Sequence, residues 1–268
     1  MYAFDYRRAA SVDEARRLLG QGGEGKLLAG GMTLIPTLKQ RLAAPSHVVD
    51  LGRIDALQGI AVTEEAVTVR AMTTHAAVAA SEPVRAAIPA LATLAGGIGD
   101  QQVRHRGTIG GSVANNDPAA DYPAACLGLG ATIVTDRRDI AADDFFRGLF
   151  QTALEADEII TAIRFPRPET AAYMKFPNPA SRYAIVGVFV ARGSQGVRVA
   201  VTGASESGIF RAVEMERALA ADFSEAALDA IPMPPDGLFD DLHGTAAYRA
   251  HLIGVMAKRA VATCARNE

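Results

Sequence analysis

Two stretches decide how this sequence is read: Ala29-Gly30-Gly31-Met32-Thr33-Leu34 and, about eighty residues on, Gly107-Thr108-Ile109-Gly110-Gly111-Ser112, which runs into Asn115-Asn116-Asp117-Pro118-Ala119-Ala120-Asp121-Tyr122-Pro123. Each joins a glycine pair, which lets backbone approach a ligand closely, to a hydroxyl side chain. Successive backbone N–H groups on such a turn make a concavity for anionic oxygens. Taken singly, a Gly-Gly pair is also what an ordinary tight turn needs. Taken together, the two stretches are expected to hold a pyrophosphate from two sides. No G-x-G-x-x-G opens a helix after a strand, and no G-x-x-x-x-G-K precedes a Ser or Thr, so neither the Rossmann fingerprint nor a P-loop is present.

Working outward, Ser11-Val12-Asp13-Glu14 reads as a capping box ahead of a helix with Ala15, Leu18 and Leu19 on one face. Lys26-Leu27-Leu28 is a short strand feeding the first glycine stretch. Thr33 is expected to cap the next helix, with Pro36 in its first turn. Val48–Leu51 and Val67–Arg70 read as strands. A helix starts at Thr73 or Thr74 and runs through Val78, and Pro89–Leu94 lies in another. Ala131–Thr135 is a buried strand by length and β-branching, and Ile159–Phe165 is another. The stretch Pro166–Pro179, with four prolines, is the expected domain boundary. Strands at Ile185–Ala191 and Val197–Thr202 follow, then helices near Phe210–Ala220, Ser224–Ile231 and Thr245–Arg266. Strands followed by helices make an α+β tail domain.

Composition removes several function classes. At 268 residues, with 49% hydrophobic and 21% charged residues, the chain suits one large or two modest globular domains. A formal charge of -3 leaves no basic footprint for nucleic acid. No apolar run reaches membrane-spanning length, and Met1-Tyr2-Ala3-Phe4-Asp5 is no signal peptide, so a cytoplasmic location is expected. Cys126 and Cys264 are the only cysteines, too few for an iron–sulfur cluster, and are read as buried thiols. The five histidines show no H-E-x-x-H or H-x-x-E-H spacing, so no metal site is expected. Ser194, Ser205 and Ser207 sit in no G-x-S-x-G elbow.

LLAGGMTLIPTLKQRL (Leu27–Leu42) and GTIGGSVANNDPAADYP (Gly107–Pro123) resemble the two FAD-pyrophosphate loops of the flavin subunit of molybdenum hydroxylases, the family of xanthine dehydrogenase, aldehyde oxidoreductase and aerobic carbon monoxide dehydrogenase. The likeness continues through AMTTHAAV (Ala71–Val78), DEIITAIRFP (Asp157–Pro166) and AAYRAHLIGVMAKRAV (Ala246–Val261), in the family's order over nearly the whole chain. TLIPTLKQRLAAPSHVVDL (Thr33–Leu51) and Tyr183 in RYAIVG give it the flavour of the carbon monoxide dehydrogenase medium subunit. The resemblance implies an α+β chain: a two-part FAD-binding domain of the PCMH (vanillyl-alcohol-oxidase-like) type over residues 1–170, then a small C-terminal domain over 175–268. It implies non-covalent FAD, no catalytic residue of its own, and an electron-transfer role. A large molybdenum-cofactor subunit and a small subunit with [2Fe-2S] clusters are the implied partners, in a dimer of heterotrimers. NAD, quinone or oxygen is the acceptor.

Carried over position by position, the resemblance assigns the cofactor to Leu28, Ala29, Gly30, Gly31, Met32, Thr33 and Leu34, and to Thr108, Ile109, Gly110, Gly111, Ser112, Asn115, Asp121 and Ile160. Met32 and Ser112 depart from the commoner family choices. A carboxylate at Asp121 can accept from ribityl hydroxyls, though the residue also suits a turn or cap. Asn115 is a donor or a turn residue. Ile109 is expected to pack on the flavin. Lys175 matches a lysine near the flavin ring, where a cation favours the reduced anion, or is a solvated strand residue. Tyr183 matches a tyrosine against a flavin face, or packs at a strand start. Three rivals stand beside this reading: another reductase of the same flavin fold, a stand-alone oxidase with FAD attached through a histidine such as His105, and a non-catalytic assembly subunit.

Overall fold

The computed structural model describes residues 1–266 as three larger sheets and a two-stranded hairpin wrapped by helices. A small parallel sheet opens the chain: β1 (Asp5–Arg8), β2 (Gly25–Leu28) and β3 (His47–Asp50), in the order β1-β3-β2. The helix Val12–Leu19 crosses between β1 and β2; the Ser11 side chain caps it as expected, accepting from Glu14 N at 3.1 Å, while Glu14 Oε2 accepts at 2.8 Å from Ala10 N, one residue before the N-cap N–H that a capping box uses.

The second sheet is antiparallel. It contains β4 (Ile60–Val62), β5 (Ala66–Arg70), β6 (Thr132–Thr135) and β7 (Asp139–Ala141). After a hairpin of β8 (Phe146–Gly148) and β9 (Gln151–Thr152), its central strand β10 (Ile160–Pro166) completes the order β4-β5-β10-β6-β7. Val67, Val69, Ile133, Ile163 and Phe165 alternate onto one face and are fully buried under the helices between β5 and β6.

The proline-rich stretch holds a strand that its composition hides. β11 (Thr170–Pro177) lies between the paired prolines and starts the third sheet, continued by β12 (Ala184–Gly193), β13 (Gly196–Thr202) and β14 (Phe210–Arg211) in sequential antiparallel order. β11 is an edge strand, where proline at a strand end is tolerated. Alternate residues of β12 serve two cores: Phe189 and Ala191 join the core of the first half, whereas Val186, Val188 and Val190 pack with Ile253, Met256 and Ala260 of the C-terminal helix Ala246–Arg266. This third sheet is therefore a wall shared by both halves.

Three local expectations are corrected. The second glycine stretch is not a loop: Thr108 caps a helix Ile109–Asn115, accepting from Gly111 N at 3.3 Å, and Ile109 and Val113, four apart, are its buried face. Thr33 caps nothing; its backbone is already helical, and the turn begins with Ile35 N donating to Gly31 O at 3.1 Å, Gly31 having φ +74. Phe210 and Arg211 pair with Val201 and Ala200 as β14, so the helix there is Val213–Ala221, and the region 224–231 holds only a short turn, Ala226–Leu228.

Candidate functional site

A cleft of about 640 Å³ runs between the end of β2, the helix Ile109–Asn115, and the turn before β12. Its two glycine stretches touch. A Cβ on Gly30 would lie 2.0 Å from the Arg106 carbonyl oxygen and 2.8 Å from Gly107 Cα, so the stretches meet backbone to backbone. The second is stitched to the β5 end of the second sheet: His75 N donates to Gly107 O at 3.0 Å, Ile109 N to Thr73 O at 3.1 Å and Gly110 N to Ala71 O at 2.9 Å. Gly110 rests on Ala71, where a Cβ would come within 2.5 Å of the alanine methyl.

The stitching makes the two stretches unequal. The N–H groups of Ile109, Gly110, Gly111 and Ser112 all have partners inside the chain. Among the described residues, by contrast, no backbone N–H from Gly30 to Leu34 donates a hydrogen bond within the chain. Five successive unclaimed donors on a partly exposed turn form a nest for anionic oxygen. The side chains of Thr33, Ser112 and Asn115 line the same cleft and, among the described residues, make no internal hydrogen bond. The site thus offers N–H and hydroxyl donors with no cation of its own among the nest residues, which suits a phosphate ester that must also be hydrogen-bonded along its length.

Deeper in, Asp121 is 4% exposed. Its Oδ2 accepts from Lys175 Nζ at 3.0 Å, Lys175 also donates to Gly97 O at 2.9 Å, and Oδ1 accepts from the Tyr173 hydroxyl. Burial pushes the Asp121 carboxyl up, against the pull of Lys175 and Tyr173. Asp117, which accepts from Ala119 N at 2.9 Å, is raised by burial as well. Tyr183, 45% exposed at the cleft mouth, keeps its proton the more firmly for its burial and for Asp117 and Asp121 nearby. At the far end Glu158 is held by Arg138, Thr135 and Glu155 N, and the Arg138 bond foremost lowers its pKa to about 2.

Of the residues assigned in advance, the cleft gathers Ala29, Gly30, Gly31, Met32, Thr33, Leu34, Thr108, Gly110, Gly111, Ser112, Asn115, Asp121, Ile160 and Tyr183. Leu28 ends β2 outside the lining. Ile109, expected on the flavin, turns the other way and is fully buried in the main core. Lys175 reaches the site only through Asp121. His105 is exposed, its Nδ1 paired with Gln101 O at 2.7 Å, and lies outside the cleft. The histidine that does line it is His75, which sits in no motif that would single it out: burial, with Arg104 near, lowers its pKa to about 4. Among the described residues, its Nδ1 and the Tyr122 hydroxyl are buried without hydrogen-bond partners, and the two ring centroids lie 5.4 Å apart. Tyr173 was also missed, although it stands two residues before Lys175 and so on the same face of a strand. Among the described residues, no group of three or more His, Cys, Asp or Glu side chains is placed to hold a metal ion, and no helix is long and apolar enough to cross a membrane.

Fold and cleft together define an α+β chain whose cleft presents a run of N–H and hydroxyl donors. Residues 2–168 match the family described as the FAD binding domain in molybdopterin dehydrogenase, and the chain belongs to that family. It is 36% identical to the carbon monoxide dehydrogenase medium chain of Hydrogenophaga pseudoflava over 96% of both chains, and 33% identical to the nicotine 6-hydroxylase medium subunit of Paenarthrobacter nicotinovorans over 97% of this chain and 96% of that one. In structure it superposes with a TM-score of 0.91 on a chain of the reconstituted CO dehydrogenase from Oligotropha carboxidovorans, at 35% identity and with 98% of each chain covered. The chain is accordingly an FAD-binding medium subunit of the molybdenum hydroxylase family, an oxidoreductase component whose relatives are medium chains of multi-subunit enzymes.

Proposed function

We propose that this chain binds FAD non-covalently in the cleft and serves as the electron-transfer subunit of a cytoplasmic heterotrimer, taking electrons from [2Fe-2S] clusters of a small partner and delivering them to NAD, quinone or oxygen. A large subunit carries the molybdenum cofactor, and two heterotrimers pair. The observation that carries the reading is the run of unclaimed N–H groups from Gly30 to Leu34 facing Thr33, Ser112 and Asn115. When bound, FAD supplies the redox chemistry. The residues around it bind and orient: the Gly30–Leu34 nest and the Thr33 and Ser112 hydroxyls take the pyrophosphate, Asn115 and Asp121 take ribityl oxygens, Ile160 packs an apolar edge, and Tyr183 covers a ring face. Thr108 contributes as a cap that fixes Gly111 and Ser112.

The division between flavin and C-terminal domains is proposed at Arg167–Glu169, supported by the family match that ends at residue 168 and by β11 beginning at Thr170. The exposed position of His105 speaks against its use for covalent attachment. The decisive experiment is purification of the chain with its spectrum taken before and after acid precipitation. One flavin per chain, released into the supernatant, is expected, and a colourless protein would defeat the reading. Pure chain should not oxidise carbon monoxide, aldehydes, purines or N-heterocycles; natively expressed chain should copurify with two others, and a metal-free, solitary protein would count against the heterotrimer.

A further inference from the structure

We propose that Tyr173 is a positioning residue of the flavin site, orienting the Asp121 carboxylate toward the cleft by donating its hydroxyl to Oδ1 while Lys175 holds Oδ2. The inference rests on the FAD reading of the cleft. Tyr173 and Lys175 alternate onto one face of β11, so a single strand supplies both donors. The tyrosine is fixed before it reaches Asp121: it is 8% exposed, and its ring stacks on Phe189 with centroids 6.1 Å apart. Space for the hydroxyl is made by Gly187, opposite Lys175 on β12, where a Cβ would lie 2.3 Å from Tyr173 Oη.

The backbone around Asp121 is gripped by the same sheet. Thr202 Oγ1 donates to Ala120 O at 2.7 Å and to Pro118 O at 3.0 Å, and Gly203 N donates to Pro118 O at 2.8 Å. The third sheet therefore sets both the path of the Pro118–Asp121 segment and the rotation of its carboxylate. A carboxylate has about four lone-pair sites. Two are used by Tyr173 and Lys175, which leaves the rest for hydroxyls of the cofactor. Burial works against the charged form, and both donors favour it. The other titratable groups that feel the Asp121 charge are Tyr183 and Tyr122.

Full-length apo-chain is titrated with FAD from pH 5 to 8, following flavin fluorescence, for wild type, Tyr173→Phe and Gly187→Ala, with Tm measured on each. Tyr173→Phe should bind FAD about tenfold more weakly at pH 7, the effect of losing one hydrogen bond to a charged group. Its affinity should also fall at a higher pH than that of wild type, because Asp121 then protonates more readily. Gly187→Ala, which displaces the hydroxyl, should move both readouts the same way and carries the test should Tyr173→Phe fail to fold. A lowered Tm with unchanged affinity and pH profile would reduce Tyr173 to a packing residue and overturn the proposal. A wild-type chain that takes up no FAD would instead overturn the FAD reading, and the proposal with it.

Discussion

Gly30 lies against the backbone of Arg106 so closely that a Cβ on it would stand 2.0 Å from the Arg106 carbonyl oxygen. The two glycine stretches are thus one structure, and the nest of Gly30–Leu34 has its position set by the segment that leads into the Ile109–Asn115 helix. Gly30→Ala must push these backbones apart. Overpacking of this kind costs about 3 kcal/mol. Urea unfolding should show a loss of that order together with loss of flavin, whereas a stable variant with normal flavin content would mean that the stretches separate freely.

Gly110 and Gly111 are neighbours with different surroundings. Gly110 is buried against Ala71, and its N–H is used by Ala71 O, so Gly110→Val should fail by prising the helix from the second sheet rather than by filling a phosphate cradle. Gly111 has only Thr108 Oγ1 at 3.0 Å and Ala29 Cβ at 3.5 Å near its would-be side chain. Gly111→Ala should therefore leave Tm within a few degrees of wild type while lowering flavin occupancy. Equal losses of Tm in the two variants would contradict this separation.

His75 gives stability a pH dependence of known sign. Its pKa is held at about 4 in the folded chain against 6.5 when unfolded, so between those values the unfolded state binds the extra proton. The stability present above pH 6.5 is lost as pH falls toward 4. Integrated from pH 7.5 to pH 5, the loss is on the order of 2 kcal/mol. Denaturant titrations at the two pH values should show it, and His75→Gln should remove it; equal slopes in variant and wild type would rule the histidine out.

How legible was all this in the sequence? Elements with one buried face were plain, as with the Ser11-capped helix and the β-branched strand at Thr132–Thr135. The helix Tyr122–Leu129 was not, because every one of its residues is buried and an all-apolar helix has no period to read. The Ile109–Asn115 helix was hidden by three small residues with poor or indifferent helix propensity, overridden by the burial of Ile109 and Val113. The glycine motifs located the cleft, but not the fact that the second stretch spends its N–H groups internally. That depends on Ala71 and Thr73, some forty residues earlier, meeting it in space.

Tyr183 covers the cleft mouth from a turn fastened by Asn178, whose N donates to Tyr183 O at 2.8 Å. With 45% of its surface exposed, it has little else to pack against. Tyr183→Ala should keep most of the FAD, since an aromatic ring contact contributes only about 1 kcal/mol. The visible flavin bands and midpoint potential should shift. Unchanged bands and potential would place the ring elsewhere.

Lys175 calls for a different expectation from the one its sequence position suggested. As a free cation beside the flavin, it would raise the potential by attraction alone, and its removal would lower it. In the fold it is 3.0 Å from Asp121, with side-chain exposures of 11% and 5%, so the cleft sees a compensated pair. Removing the lysine leaves a buried carboxylate without its cation, a change that costs about 3 kcal/mol or more. The pH dependence follows from the direction in which burial already moves Asp121, upward, now without Lys175 to oppose it. For an acid whose folded pKa lies above its unfolded value, stability is retained at low pH and lost as pH rises through the folded pKa. Lys175→Met should thus fall progressively further behind wild type as pH rises above the ordinary carboxylate range, with flavin retention following the same course. Denaturant midpoints measured as the pH is raised decide the matter: a deficit that stays constant with pH would mean that Asp121 does not depend on Lys175 for its charge.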